Sequence, residues 1–538
     1  MLTPDQEVAL YSILEFIKRP VTEYKDCANI LYAAAGCGKT FLTRIIADKL
    51  RGGYSIAGVA PTHKARKVLD RSLNTKSFYT IKTMTVASLL NKLRAHSYIG
   101  TKLYSKGSAS KMSLYNLFII DEASMINDND IQVLVNYAFE YKKKILFVGD
   151  KYQIPNPSQK YICEDGWAYK ADSLAFNIPG FELTTNIRQK KENPIVSIYL
   201  EMRNAIAEKR EPEIDRVDKM DNGIGVKFIS DTEKWSIEMT DFYLYCPDLS
   251  GVKIIAYTND TVKNYNQWVR QLFARGPDPE VGELLMGYNN LGFPETYISN
   301  GQDYWIRKIQ KTKFQRISPY INLVGSILNI QETDTEIRAD IFIPHIGSPQ
   351  NQEMLQDLAA RAEKVNSSYS TKQDYKKYCA LRNSLVFMEN VYKYKEEIVS
   401  ESSFRNSHPL LFKSITEVID CEKGQVLENK MTDDIVAKYG NILDKRVRDN
   451  KSLSGVEKLC DMFCIIEKDI DYSYAITAHK SQGSTYKTVF VDEADFDKLK
   501  EYFNYHLNCK VNVSKEKTQL KYVSFTRPSQ GAYIFYRE

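Results

Sequence analysis

The sequence predicts an α/β fold built on parallel sheets. Three observations predict it: short apolar runs alternate with helical stretches, each run ends in chemically distinctive residues, and the pattern restarts near residue 251. Strands are expected at Ile30–Ala33, Ser55–Ala60, Leu117–Ile120 and Ile145–Gly149. They lead into a glycine-rich loop, Pro61-Thr62-His63, Asp121-Glu122 and Asp150. Ligands of open α/β sheets collect at the carboxyl ends of strands, so these four loops should converge on one cleft.

The first loop reads Ala33-Ala34-Ala35-Gly36-Cys37-Gly38-Lys39-Thr40 and opens a helical pattern from Phe41 to Leu50. Small residues let backbone N–H groups close around a triphosphate, and the helix N-terminus adds positive potential. Lys39 would reach the outer phosphates while the Thr40 hydroxyl meets Mg²⁺. Ala33 stands where the usual pattern has its first glycine.

Asp121 and Glu122 follow an apolar strand. In a phosphate-loop enzyme Asp121 would serve Mg²⁺ and Glu122 would polarise the attacking water. Gln153, in Gly149-Asp150-Lys151-Tyr152-Gln153, is a neutral amide able to register the γ-phosphate. Charge developing on that phosphate calls for cations, and Arg188 and Arg527 are the candidates for arginine fingers.

The stretch Leu90–Met112 is polar, rich in Gly, Ser and Lys, and reads as an inserted hairpin carrying Tyr98 and Tyr104. The second alternating pattern begins with a strand at Val252–Tyr257 and a helix at Asp260–Ala274. It resumes at Tyr474–Ala478, Thr488–Val491 and Ala532–Tyr536. Between them lie strand-like segments (Tyr304–Lys313, Ile321–Ile330, Glu336–Pro344) and charged helical ones (Asn351–Val365, Lys372–Asn383). Val386–Leu459 carries no readable pattern.

Composition bounds the rest. A length of 538 residues predicts three or four domains, and 43% apolar with 26% charged residues is ordinary for a globular chain. A net charge of +5 does not by itself indicate nucleic acid. Nine cysteines without a Cys-x-x-Cys pair read as reduced thiols. The start lacks a signal-peptide pattern, and no apolar run approaches the ~20 residues of a membrane span. A cytoplasmic enzyme with no membrane partner is the expectation.

Read in order, these segments resemble the motif set of superfamily-one DNA helicases of the RecD/Dda kind. Leu2-Thr3-Pro4-Asp5-Gln6 is similar to the adenine-reading motif, with Gln6 on the base edge. Ala60–Ala65 and Thr85–Leu90 are similar to DNA-gripping motifs of the first core, with Ala87 in place of the family's His. Ala256-Tyr257-Thr258-Asn259 and Ser299-Asn300-Gly301-Gln302 match second-core segments. Tyr474–Ser484 and Tyr522–Arg527 resemble motifs V and VI.

The resemblance implies two RecA-like parallel-sheet cores in tandem. The first is expected at 1–185, with a hairpin or pin at about 90–112. The second is expected at 186–305 plus 468–538. Residues 306–467 form a larger β-rich and helical insertion, SH3-like in part. ATP and Mg²⁺ are the implied cofactors. The implied nucleotide contacts are Gln6, Ala35, Gly36, Cys37, Gly38, Lys39, Thr40, Phe41 and Gly483, with Mg²⁺ on Thr40 and Asp121. DNA would be gripped by Pro61, Thr62, His63, Thr85, Thr258, Asn259, Thr477, His479 and Lys480, mostly through phosphates. Tyr98 or Tyr104 would part the duplex. The implied activity is ATP-driven 5′-to-3′ translocation on single-stranded DNA and unwinding of forked duplexes, in replication or recombination of a phage or other virus. Single-strand-binding or replication proteins are the implied partners. An RNA helicase of the same superfamily and a nucleotide-switched binding protein are the alternatives. Intact Glu122 and two candidate fingers argue against a pure switch.

Overall fold

The computed structural model describes residues 2–34, 36–75, 80–91, 94–96, 102–104, 111–164, 166–185, 193–288, 290–291, 298–318, 321–345, 348–351 and 469–537. The chain divides into two compact units. One comprises 1–91, 107–276 and 473–538; the other comprises 92–106 and 277–472.

In chain order, the first half of the first unit runs α1 (Pro4–Lys18), β1 (Ala28–Ala33), α2 (Lys39–Leu50), β2 (Ile56–Ala60), α3 (His63–Asn74), β3 (Lys82–Thr85) and α4 (Val86–Leu89). The hairpin β4 (Arg94–His96) and β5 (Lys102–Tyr104), grouped with the second unit, interrupts it. It continues with β6 (Leu117–Ile120), α5 (Asp128–Glu140), β7 (Lys144–Gly149), β8 (Tyr161–Glu164), β9 (Trp167–Lys170) and β10 (Gly180–Leu183). Strands β2, β6 and β7 are buried along their whole length, as strands covered on both faces must be. The sheet order is β10-β1-β7-β6-β2-β3, and every pairing is parallel. One apolar cluster packs Leu31, Leu42, Ile46 and Val148 on one side of the sheet. A second packs Ile30, Phe118, Leu134 and Phe147 on the other.

The second half begins with α6 (Ile195–Glu208), β11 (Lys219–Asp221), β12 (Ile224–Ile229), α7 (Thr232–Tyr245), β13 (Val252–Ala256) and α8 (Asn259–Leu272). The second unit then contributes β14 (Leu284–Gly287), β15 (Asp303–Ser318), β16 (Ile321–Glu332), β17 (Arg338–Pro344) and β18 (Ile470–Tyr472). The chain returns through β19 (Ala475–Thr477), α9 (Ala478–Ser481), β20 (Tyr486–Asp492), β21 (Tyr502–Asn504), β22 (Cys509–Val511), α10 (Ser514–Phe525) and β23 (Pro528–Phe535). The order β11-β12-β23-β20-β13-β19 is parallel except for the β11–β12 hairpin. The molecule therefore has the expected pair of RecA-like parallel-sheet cores.

A feature absent from the sequence reading joins the two cores. Strands β8 and β9 follow the first sheet's β7, whereas β21 and β22 precede the second sheet's last strand. They form one four-stranded sheet, β21-β22-β9-β8, with Val511 opposite Ala168. Ala168, Val511 and Val513 are buried together beneath it.

The second unit holds a five-stranded antiparallel sheet, β17-β16-β15-β14-β18. The division falls at 277 and 472, where the sequence places boundaries at 306 and 467. The reason is pairing: β14 bonds to both β15 and β18, which draws Leu284–Gly287 and the Ser299–Gln302 turn into this sheet. The β4–β5 hairpin likewise groups with this unit, apart from the first core that was expected to carry it. The helical segments anticipated after Asn351 lie outside the described residues.

Candidate functional site

The phosphate loop leaves β1 and closes at the N-terminus of α2. Gly36 and Gly38 have φ of 88° and 79°, the left-handed region that glycine tolerates best. Lys39 Nζ donates to the Ala33 and Ala34 carbonyl oxygens at 2.6 and 3.1 Å, so it lies along the loop it would share with phosphates. Thr40 and Phe41 are exposed on the first turn of α2, whereas Cys37 is buried. Gln6 is buried and tied at both ends of its amide. Its Nε2 donates to Cys37 O at 3.1 Å, and its Oε1 accepts from Thr3 N at 3.1 Å. It thus fastens α1 to the phosphate loop. Ala35 and Arg188 lie outside the described residues.

Asp121 and Glu122 leave β6 beside this loop. Glu122 adopts φ 53°, a left-handed conformation uncommon for a side-chain-bearing residue and typical of strained functional positions. Its N–H donates to Asp121 Oδ1 at 2.9 Å. Burial, then the Asp121 charge, pushes the Glu122 carboxyl up to about 7, while Lys39 and Arg527 pull against that rise. Burial also raises Asp121, opposed by the Glu122 N–H and Lys39. A carboxyl that titrates near neutrality next to a phosphate loop is suited to proton transfer.

Residues of the second core complete this group. A Cβ placed on Gly483 would stand 3.5 Å from Glu122 Oε1, so the motif V loop lies against the acid. Arg527 is buried, and its field reaches Glu122. Its Nε donates to Val523 O at 2.8 Å and its Nη1 to Ser484 O at 3.0 Å, which aims the guanidinium from the motif V loop. Gln153 is buried, with Gln482 Nε2 donating to its Oε1 at 3.1 Å. The structure therefore brings together Lys39, Asp121, Glu122, Gln153, Gly483 and Arg527.

The residues expected to grip DNA fall at strand ends in both cores. Thr62, Thr85, Thr258 and Thr477 each cap a helix, accepting from Ala65 N, Ser88 N, Thr261 N and Lys480 N. Thr85 and Thr477 are buried. Pro61 and His63 flank Thr62 and are partly exposed. Burial lowers the pKa of His63, helped by Arg66 and Lys67. Burial lowers His479 as well, and its ring lies 6.5 Å from Tyr257. Lys480 is lowered to about 8 by burial and by Lys64 of the first core. Tyr98 lies outside the described residues, and Tyr104 stands on β5 opposite Arg94.

Thr258 differs from this pattern, and Asn259 follows it as the first residue of α8. Asp495 Oδ2 accepts from Tyr257 N at 2.8 Å and from Thr258 N at 2.7 Å, and the Thr258 hydroxyl also bonds it. A protein carboxylate fills the anion position at the N-terminus of α8, where a DNA phosphate was expected. Sequence reading missed Asp495. The available signal was its tetrapeptide, Asp492-Glu493-Ala494-Asp495, which echoes Asp121-Glu122-Ala123-Ser124 after an equivalent strand.

Among the described residues no three His, Cys, Asp or Glu side chains form a metal cluster. No described helix is long and apolar enough to cross a membrane. A Thr hydroxyl and one carboxylate fit Mg²⁺, which takes few protein ligands and relies on phosphates and water for the rest.

Comparison with known proteins finds the following likenesses. A family model described as an AAA domain matches residues 16–222. An uncharacterized protein of Acanthamoeba polyphaga mimivirus, R530, is 23% identical over 534 residues, covering 92% of this chain and 94% of that protein. The ATP-dependent DNA helicase dda of Enterobacteria phage T4 is 27% identical over 296 residues, covering 53% of this chain and 60% of the phage protein. A crystal structure of Pif1 helicase from Candida albicans aligns over 100% of this chain and 95% of its own, with 14% identity and a TM-score of 0.44. The chain thus carries its phosphate loop within a matched AAA domain and, over about half of its length, is similar to the phage helicase.

Proposed function

We propose that this protein is an ATP-dependent DNA helicase that moves along single-stranded DNA and opens forked duplexes. The observation that carries the reading is one group of residues drawn from two sheets: Lys39, Asp121 and Glu122 from the first, Gly483 and Arg527 from the second. Hydrolysis at such a group depends on how the two cores sit about the nucleotide, and that dependence is what turns turnover into motion.

In this reading Lys39 and the loop N–H groups hold the phosphates. Glu122 accepts the proton of the attacking water, Gln153 registers the γ-phosphate, and Arg527 stabilises charge developing there. Arg188 is proposed as a second finger. Mg²⁺ on Thr40 and Asp121 would neutralise phosphate charge. Thr62, His63, Thr85, Thr477, His479 and Lys480 grip the strand through phosphates, with Pro61 packed beside them and Lys64 added from its closeness to Lys480. Tyr104 or Tyr98 parts the base pairs. Translocation runs 5′ to 3′, and single-strand-binding or replication proteins are the proposed partners. The phage relative's activity, an ATP-dependent DNA helicase, supports the substrate class.

Forked duplexes with either a 5′ or a 3′ single-stranded tail test this directly. ATP-dependent unwinding from the 5′ tail is expected. Unwinding only from the 3′ tail would reverse the polarity, and ATP turnover stimulated by poly-U but not poly-dT would move the substrate to RNA.

A further inference from the structure

The loop from Asp150 to Ile154 is clasped by three side chains of the second core. Tyr522, fully buried on α10, donates its hydroxyl to Asp150 Oδ2 at 2.8 Å. Gln519, one helical turn earlier, donates to Gln153 O at 3.1 Å. Gln482 donates to Gln153 Oε1 and to Ile154 O at 3.1 and 3.2 Å.

Asp150 is itself wholly buried and also accepts from Tyr152 N at 3.0 Å. A buried carboxylate is tolerated only with such donors around it. From the other core, the Tyr522 hydroxyl reaches this carboxylate directly.

Helix α10 does two things along its length. Gln519 and Tyr522 face the Gln153 loop, and its C-terminal end leads into Arg527, whose charge acts on Glu122. One rigid element thus holds the loop bearing Gln153 and carries the cation opposite the acid. We propose that Tyr522 is a positioning residue for ATP hydrolysis: through Asp150 it fixes the register between the Gln153 loop and Arg527. The inference rests on the reading of this site as an ATPase.

Tyr522 acts through Asp150 and needs no contact with the nucleotide. Its ring meets Tyr152 edge-on at 6.4 Å and 68°, packing that phenylalanine would keep. Tyr522→Phe therefore removes the donor and spares the core.

The test is steady-state ATP turnover on oligo-dT for wild type, Tyr522→Phe, Asp150→Ala and the double variant, with melting temperatures recorded. For Tyr522→Phe, kcat should fall about 10- to 100-fold, the range for losing a hydrogen bond to a charged group, with KM for ATP unchanged. The double variant should be no slower than the slower single, as expected for residues acting as one pair. Wild-type kcat in Tyr522→Phe, or losses that multiply in the double variant, would overturn the proposal. So would a fall in kcat matched by the fraction unfolded at the assay temperature. Should Asp150→Ala fail to fold, the kcat-against-KM split of Tyr522→Phe decides alone. A wild-type protein without DNA-stimulated turnover would instead overturn the ATPase reading itself.

Discussion

The two cores end equivalent strands with the same three residues, and the structure treats them in opposite ways. Strand β6 leads into Asp121-Glu122-Ala123, β20 ends at the first residue of Asp492-Glu493-Ala494, and a 3-10 turn begins within each triplet. The neighbouring strands match as well, with β6-β2-β3 in one sheet and β20-β13-β19 in the other. In the first core, burial and Asp121 push Glu122 up to about 7. In the second, burial also raises Glu493, but Arg216 and Lys521 more than offset it and the net shift is downward. Arg216 grips Glu493 with two bonds of 2.8 and 3.0 Å, Lys521 adds a third contact at 2.9 Å, and Tyr265 donates to Asp492 at 2.9 Å. The glutamate of the pair is raised toward neutrality in one core and held down by an ion pair with Arg216 and Lys521 in the other. What decides is the partner set: a phosphate loop and a shared cation, or internal arginine and lysine.

The contrast extends to the helix caps. Asp495 holds the Thr258 loop, and the residue in its place after β6 is Ser124, which brings no charge to Thr62. In the second core, one of the two strand-end caps is thus bonded by the core's own carboxylate.

The largest expected effect concerns the cation shared by both cores. Arg527→Ala should slow ATP turnover by about 10³- to 10⁵-fold with little change in ATP affinity, the scale of arginine fingers. Unchanged turnover, measured with phosphate-release kinetics, would leave the second core without a part in the chemistry. The caps come next. Thr258→Ala should lower stability by about 1–2 kcal/mol, since it loses a cap and a bond to Asp495, while Thr62→Ala should cost about 1 kcal/mol and mainly weaken single-strand binding. Equal effects on binding in a fluorescence-anisotropy titration would erase the distinction between the caps. The smallest effect is in pH. Lys480 is lowered to about 8, so it is charged at pH 7 and largely neutral at pH 9, and phosphate affinity should fall several-fold across that window. Lys480→Arg keeps its charge and should flatten the profile; an unaltered slope would remove Lys480 from the DNA track.

Much of this was legible because it is local. The strands β2 and β6 are uninterrupted apolar runs, as is β7 after Lys144, and the phosphate loop is eight consecutive residues joining a strand to a helix. What escaped depends on partners far apart in the chain. The hydroxyl of Tyr522 meets Asp150 across 372 positions, and Asp495 meets Thr258 across 237. The shared sheet escaped for a different reason. Strands β8, β9, β21 and β22 are three or four residues long and largely exposed or half-exposed, so no alternation marks them. Leu284-Leu285-Met286 was too short a run to reveal that it starts the sheet of the second unit.

The repeated acid pair makes the most direct measurement possible within one molecule. Single-turnover hydrolysis of ATP on oligo-dT should be compared for Glu122→Gln and Glu493→Gln, with melting temperatures for both. Glu122→Gln should lose about 10²- to 10⁴-fold in rate while folding normally, as for removal of a general base. Glu493→Gln should keep its rate and melt earlier, because Arg216 and Lys521 are left without their acid. A slow Glu493→Gln variant, or an unimpaired Glu122→Gln variant, would contradict the assignment of chemistry to the first core.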